Sequence, residues 1–113
     1  MDVRATAKYL RISPQKMRLV CNEVRNMDAA QALTVLRFMP QKGAELARKL
    51  VESAVASAEM NFELNRQDLF ISELKADDGP RLKRVKAGAR GRYKPRVKRF
   101  THLTVILSER VEE

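Results

Sequence analysis

The 113-residue chain predicts an α+β fold: one strand, then three helices, then two strands enclosing a long basic hairpin. Three observations predict it. Apolar residues alternate with polar ones near both ends of the chain, the period of half-buried strands. Between those ends, three stretches carry apolar residues at three-and-four spacing, bounded by capping residues and a proline. Charge, finally, is concentrated in one segment. Arg81, Lys83, Arg84, Lys86, Arg90, Arg92, Lys94, Arg96, Lys98 and Arg99 are ten cations with no acid among them, whereas the rest of the chain holds 13 basic and 14 acidic residues.

The first strand rests on Val3, Ala5, Ala7 and Tyr9, which alternate with Arg4, Thr6 and Lys8 and leave a basic outer face. Ser13-Pro14 opens the first helix: serine accepts a bond from an orphan backbone N–H, and proline in the first turn has no N–H to leave unpaired. Met17, Val20, Cys21 and Val24 form its apolar face, with Lys16, Arg18 and Arg25 outside. Asp28 with Gln31 predicts a capping box for a short second helix, whose face is Ala32, Leu33, Leu36 and Met39 and whose limit is Pro40. The third helix is the longest, expected over 42–65. Its stripe reads Ala47, Leu50, Val51, Ala54, Val55, Ala58 and Phe62, with Glu45–Lys49 and Arg48–Glu52 as i,i+4 pairs on the exposed side. So many alanines on one face suit close packing against a sheet or another helix.

Extended spacing returns over 69–77 and again over 100–108, where Leu103, Val105 and Leu107 share a face. Paired as an antiparallel hairpin with its midpoint near Gly88-Ala89, these strands would set Phe70 opposite Leu107. About ten residues a side would then lie beyond the body, a reach of roughly 33 Å at about 3.3 Å per residue. A globule of this length has a radius of gyration near 13 Å, so the arm, about 78–99, would be as long as the body is wide. Gly79-Pro80, Gly88 and Gly91 mark where it bends or turns back. Like charges this dense repel one another and call for a polyanion to order them. Aromatics are few (Tyr9, Phe38, Phe62, Phe70, Tyr93, Phe100), so contact with backbone and groove is expected over base-by-base readout.

Catalytic chemistry is missing. Cys21 is the one cysteine, which forbids an intrachain disulfide and implies a reducing compartment; among apolar helix positions it reads as a buried, inert thiol. His102 is the one histidine and sits in an alternating strand, so no metal set is available. Asp77-Asp78 before Gly79-Pro80 reads as the turn where the strand leaves the body, and Gly88-Ala89-Arg90-Gly91 lacks the Lys-Ser/Thr and helix of a phosphate loop. With no apolar signal core and no membrane-length apolar run, a soluble intracellular protein is expected, a single domain over 1–113 that is not an enzyme and takes no cofactor. Two other binding classes stay open: a DNA-architectural protein using a two-stranded basic arm, which would need a large dimer interface and a wedge near the tip, and a polybasic membrane-surface binder, for which the arm lacks interfacial anchors.

Several blocks resemble one family in collinear order along nearly the whole chain. Arg11-Ile12-Ser13-Pro14-Gln15-Lys16-Met17-Arg18-Leu19-Val20, Leu50-Val51-Glu52-Ser53-Ala54-Val55-Ala56, Asp78-Gly79-Pro80-Arg81-Leu82-Lys83-Arg84, Arg90-Gly91-Arg92 and Lys98-Arg99-Phe100-Thr101-His102-Leu103-Thr104-Val105 are similar to large-subunit ribosomal protein twenty-two. The resemblance implies three helices packed on a three-stranded antiparallel sheet, with a long protruding basic β-hairpin. It further implies a structural protein of the large ribosomal subunit that binds several domains of its rRNA, enters assembly early and lies beside other subunit proteins near the exit-tunnel mouth. In cytoplasmic or organellar ribosomes alike, the hairpin tip would line the tunnel and meet the nascent polypeptide, and macrolides bind nearby.

Carried onto this chain, the rRNA-binding set is Lys8, Arg11, Lys16 and Arg18 on the body and the ten arm cations from Arg81 to Arg99. Leu82, Val85, Ala87 and Ala89 would fit between rRNA strands or face the tunnel. Ala87, Gly88, Ala89, Arg90, Gly91, Arg92 and Tyr93 would form the tunnel-lining tip, and the free protein would be a monomer. The chain departs from the family at Lys86, Ala87 and Gly88, where Met-Pro-Arg is usual, at Tyr93, where a small residue is usual, and at Asn26-Met27, where Gly-Lys is usual. A lost proline and a gained glycine soften the tip, and a tyrosine there can stack on a base.

Overall fold

A computed structural model describes residues 2–87 and 93–109, with side chains outside 80–98. Strand β1 (Asp2–Leu10) leads into helices α1 (Pro14–Val24), α2 (Ala29–Phe38) and α3 (Lys42–Phe62). A single 3₁₀ turn over Arg66–Asp68 then feeds strands β2 (Leu69–Ala87) and β3 (Tyr93–Glu109). The sheet is antiparallel in the order β1-β3-β2, so the last strand along the chain is the central one. The α+β class and its three helices and three strands are as the sequence and the resemblance predict.

Helix boundaries follow local chemistry. The Ser13 hydroxyl accepts from the Lys16 N–H at 3.4 Å, and Pro14 fills the first turn of α1. At α2 the expected capping box is not made: Asp28 is the N-cap, but its side chain forms no cap bond, and its backbone is instead bridged to Phe70 of β2. Helix α3 stops three residues earlier than expected. Glu63 turns left-handed (φ 56°), and the Leu64 N–H reaches back to the Ala58 carbonyl at 3.1 Å, closing the helix end. Asn65, expected inside that helix, caps the 3₁₀ turn, accepting from the Gln67 N–H at 3.1 Å.

One hydrophobic cluster fills the space between helices and sheet. Met17, Val20, Cys21 and Val24 of α1 and Ala47, Val51, Ala54, Val55 and Ala58 of α3 are all fully buried against Ile71, Leu74, Leu103, Val105 and Leu107. The alanine face of α3 crosses β1 and β3, while α1 lies along β2. Two residues of the expected apolar pattern are outside the cluster. Phe62 is 44% exposed, because the helix ends beneath it. Tyr9 is 62% exposed, because β1 breaks register between Ala7 and Leu10 and Tyr9 takes a left-handed φ of 59°.

In the ladder, Ile71 faces Leu107 and Phe70 faces Ser108, one position from the expected register. The ribbon ladder is centred on position 90, which alone would carry Phe70 three positions from its expected partner; two β-bulges, each placing one extra residue on β2, at Ser72 and at Gly79-Pro80 opposite Phe100, take back two of the three. The expected midpoint at Gly88-Ala89 lies outside the described residues. At the second bulge the chain backbones nearly touch. A Cβ on Gly79 would stand 2.9 Å from the Phe100 carbonyl oxygen, so only glycine fits.

The free edge of β2 is covered where it flanks the body. Asn26 N–H donates to the Ile71 carbonyl (3.0 Å) and Ile71 N–H to the Met27 carbonyl (2.9 Å). Asn26 holds a left-handed φ of 68°, a conformation that glycine and asparagine adopt most readily. Further along, Arg25 donates to the Leu74 carbonyl at 2.9 Å and to Asn22 at 3.0 Å, and Arg18 Nε donates to the Ala76 carbonyl at 3.2 Å. These two arginines, expected on the outside of α1, are exposed there and also satisfy carbonyls that an edge strand would leave bare.

Candidate nucleic-acid interface

Beyond Thr101, the last β3 residue paired with β1, the sheet narrows to a two-stranded ribbon. The molecule measures 68 × 25 × 20 Å with a radius of gyration of 17.2 Å, against about 13 Å for a compact chain of this length. The ladder runs unbroken from Arg81↔Arg99 to Ala87↔Tyr93. Its register sets like charges opposite each other at Arg81↔Arg99, Arg84↔Arg96 and Lys86↔Lys94. Directly opposed like charges destabilise a strand pair, so this ribbon is electrostatically unfavourable until a polyanion lies on it. Strand alternation assigns Leu82, Arg84, Lys86, Lys94, Arg96 and Lys98 to one set of ladder positions, and Arg81, Lys83, Val85, Ala87, Tyr93, Pro95, Val97 and Arg99 to the other. Proline is tolerated at position 95 because each strand of a two-stranded ribbon has a free edge. The tip residues Gly88, Ala89, Arg90, Gly91 and Arg92 lie outside the described residues.

Where ribbon meets body there is a cleft of about 650 Å³. Its basic rim is assembled from four separated places: Arg11 in the β1–α1 turn, Lys16 in the first turn of α1, Lys42 at the start of α3, and Arg99 on β3. Ile12, Leu19 and Phe100 supply its apolar lining, and Leu19 is 61% exposed there. The N-termini of α1 and α3 both open onto it, adding the positive ends of two helix dipoles. Thr101, fully buried behind it, donates to the Ile12 carbonyl at 2.6 Å and fixes the β1–α1 turn to β3.

The expected body cations therefore separate. Arg11 and Lys16 come together with Arg99 in the cleft; Lys8 is exposed on β1; Arg18 is held by the Ala76 carbonyl. Sequence reasoning missed Lys42, Leu19 and Phe100. Lys42 follows the breaker Pro40 and opens a helix, and Phe100 follows the last arm cation, but only folding brings those positions beside Arg11.

His102 and Cys21 act as structure. His102 Nδ1 accepts the Tyr9 N–H at 3.1 Å, and the two rings meet edge to face at 5.0 Å, holding the left-handed Tyr9 in place. Burial pushes the Cys21 thiol up to about 11, with Arg25 and Arg18 partly offsetting it, so at neutral pH it is a protonated, enclosed group. Among the described residues no cluster of His, Cys, Asp or Glu is arranged to hold a metal, and no helix is long and apolar enough to cross a membrane.

Fold and charge define a class of protein: a small α+β body carrying a basic two-stranded arm. Residues 5–108 match the sequence model of the family described as Ribosomal protein L22p/L17e, and the chain belongs to that family of structural, non-enzymatic proteins. The chain is 47% identical over 109 residues to the large ribosomal subunit protein uL22 of Desulfotalea psychrophila, covering 96% of this chain and 99% of that one. It is 44% identical over 110 residues to the protein of the same name from Finegoldia magna, covering 97% and 98%. With that of Thermotoga sp. identity is 41% over 113 residues, all of this chain and 71% of the relative.

Proposed function

We propose that this chain is a structural constituent of the large ribosomal subunit in the cytoplasm, bound to large-subunit rRNA through its arm and the adjoining face of its body. One observation carries the proposal: a two-stranded ribbon whose register opposes arginine to arginine and lysine to lysine. Such an element has a stable place only inside a polyanion, where guanidinium and ammonium groups meet phosphate oxygens and counterions are released. Root cations such as Arg84, Lys98 and Arg99 anchor the arm during assembly beside neighbouring subunit proteins. The segment Ala87 to Tyr93, at greatest reach, lines the nascent-chain tunnel, with small side chains at Ala87, Gly88 and Ala89 keeping its wall thin. The free protein is a monomer, since the body closes its core within one chain.

Sucrose-gradient sedimentation of cell lysate at high salt tests the class: co-migration with the large subunit is expected, and sedimentation with chromosomal DNA or as free protein would refute it. Two variants test the division of labour. Replacing Gly88 and Ala89 by bulky residues is expected to permit incorporation while altering nascent-chain passage or macrolide susceptibility. Reversing charge at Arg84, Lys98 and Arg99 is expected to block incorporation. The opposite outcome would mean that tip and root are assigned backwards.

A further inference from the structure

We infer that the cleft at the root of the arm receives one unstacked nucleotide of the bound RNA, with its phosphate on the basic rim and its base against Leu19 and Phe100. This rests on the RNA-binding function proposed above and specifies a contact within it. The cleft, at about 650 Å³, falls within the range of small-ligand sites and offers far more room than a phosphate alone requires. Its character is divided as a nucleotide's is: four cations at the mouth and an apolar lining that includes an aromatic ring.

The rim cations are also uncommitted to the fold. Arg18, Arg25, Arg48 and Arg66 are each engaged by a carbonyl or carboxylate, whereas Arg11, Lys16, Lys42 and Arg99 form no ion pair among the described residues. Leu19 points the same way. On α1 it lies off the buried face made by Met17, Val20, Cys21 and Val24, and it stays 61% exposed at the cleft, where folding gains nothing from a leucine.

Continuity selects RNA as the occupant. Arg99 belongs both to the cleft and to the ribbon's ladder, opposite Arg81, so a strand whose phosphates track the arm arrives at the cleft mouth without leaving basic surface. The helix N-termini then favour a phosphate at the rim, and a base turned inward covers Leu19 and Phe100. Unstacked bases are the form in which single-stranded RNA is ordinarily held by aromatic side chains.

The test uses the full chain and transcribed large-subunit rRNA. Ultraviolet crosslinking followed by peptide mass spectrometry should place a nucleotide adduct on the peptides bearing Leu19 or Phe100, alongside adducts in the arm. Leu19→Glu, an exposed position whose folding is checked by circular dichroism, should lose the cleft adduct, keep the arm adducts and bind rRNA about five- to tenfold more weakly, the scale of one stacking contact. Arm adducts without a cleft adduct, or Leu19→Glu binding within twofold of the parent, overturn the nucleotide assignment and leave rRNA binding intact. Absence of rRNA binding by the parent chain would instead refute the proposed function. In parallel, uridine monophosphate and a poly-glutamate peptide are titrated against the amide signals of Lys16, Lys42 and Arg99; tighter binding of the peptide makes the cleft a protein-docking site and overturns the inference.

Discussion

Two glycines show how far a single Cβ can matter. Gly79 approaches the Phe100 backbone, which has nowhere to go, so Gly79→Ala should destabilise by about 1–3 kcal/mol and disturb amide signals around Thr101. Gly43 would meet the Ile12 Cδ1 atom at 2.9 Å, but that is the end of a flexible side chain, and the helix gains about 1 kcal/mol on losing a glycine. Gly43→Ala should therefore cost clearly less, and denaturant midpoints of the two variants compare them directly. Cys21 makes a pH prediction. Its thiol is raised from 9.0 to about 11 on folding, so the unfolded chain loses that proton first as pH rises. Stability should then fall between about pH 9 and 11, by on the order of 1.4 kcal/mol per pH unit, and the excess slope should vanish in Cys21→Ala.

Among the elements, β2 depends most on its neighbours. Its body half is an edge strand whose carbonyls at Leu74 and Ala76 are taken by Arg25 and Arg18. Removing the shorter bond, with Arg25→Ala, should cost about 1–3 kcal/mol, and Arg25→Lys should recover little because a single ammonium cannot span Leu74 and Asn22. Amide exchange along β2 would register the loss first. Periodicity made the helices and strands legible, since the buried faces of α1, α3 and β3 are set by apolar spacing alone. It could not reveal the two arginines, which looked like surface charge because their acceptors lie 49 and 58 residues away. The register was legible only to within one position: the ladder's centre at position 90 and the bulges at Ser72 and Gly79-Pro80 shift it in opposite directions, and neither leaves a periodic mark.

For the molecule as a whole, charge is divided between a nearly neutral body and a basic ribbon. Deleting 82–97 and closing the strands with a tight turn removes no residue of the hydrophobic cluster found among the described residues, so the body should keep a cooperative unfolding transition. Its rRNA affinity should become less salt-sensitive, the log–log slope falling by about 0.7–0.9 for each phosphate contact removed. An unchanged slope would place the electrostatics in the body. The arm cations were plain in the sequence as an uninterrupted basic run. The cleft was not, because it is made from chain segments as far apart as Arg11 and Arg99.

The ladder between Arg81↔Arg99 and Ala87↔Tyr93 also restricts how this arm can change length over time. Adding one residue to each strand preserves every downstream partnership yet turns over all that lies distal to it, so that the Lys86↔Lys94 and Ala87↔Tyr93 pairs exchange sides. Adding two to each strand restores the original facing. Permitted lengths thus come in steps of four residues, roughly 7 Å of reach apiece. An odd insertion at the middle of the ribbon should abolish incorporation into the subunit more completely than an even one of twice the size.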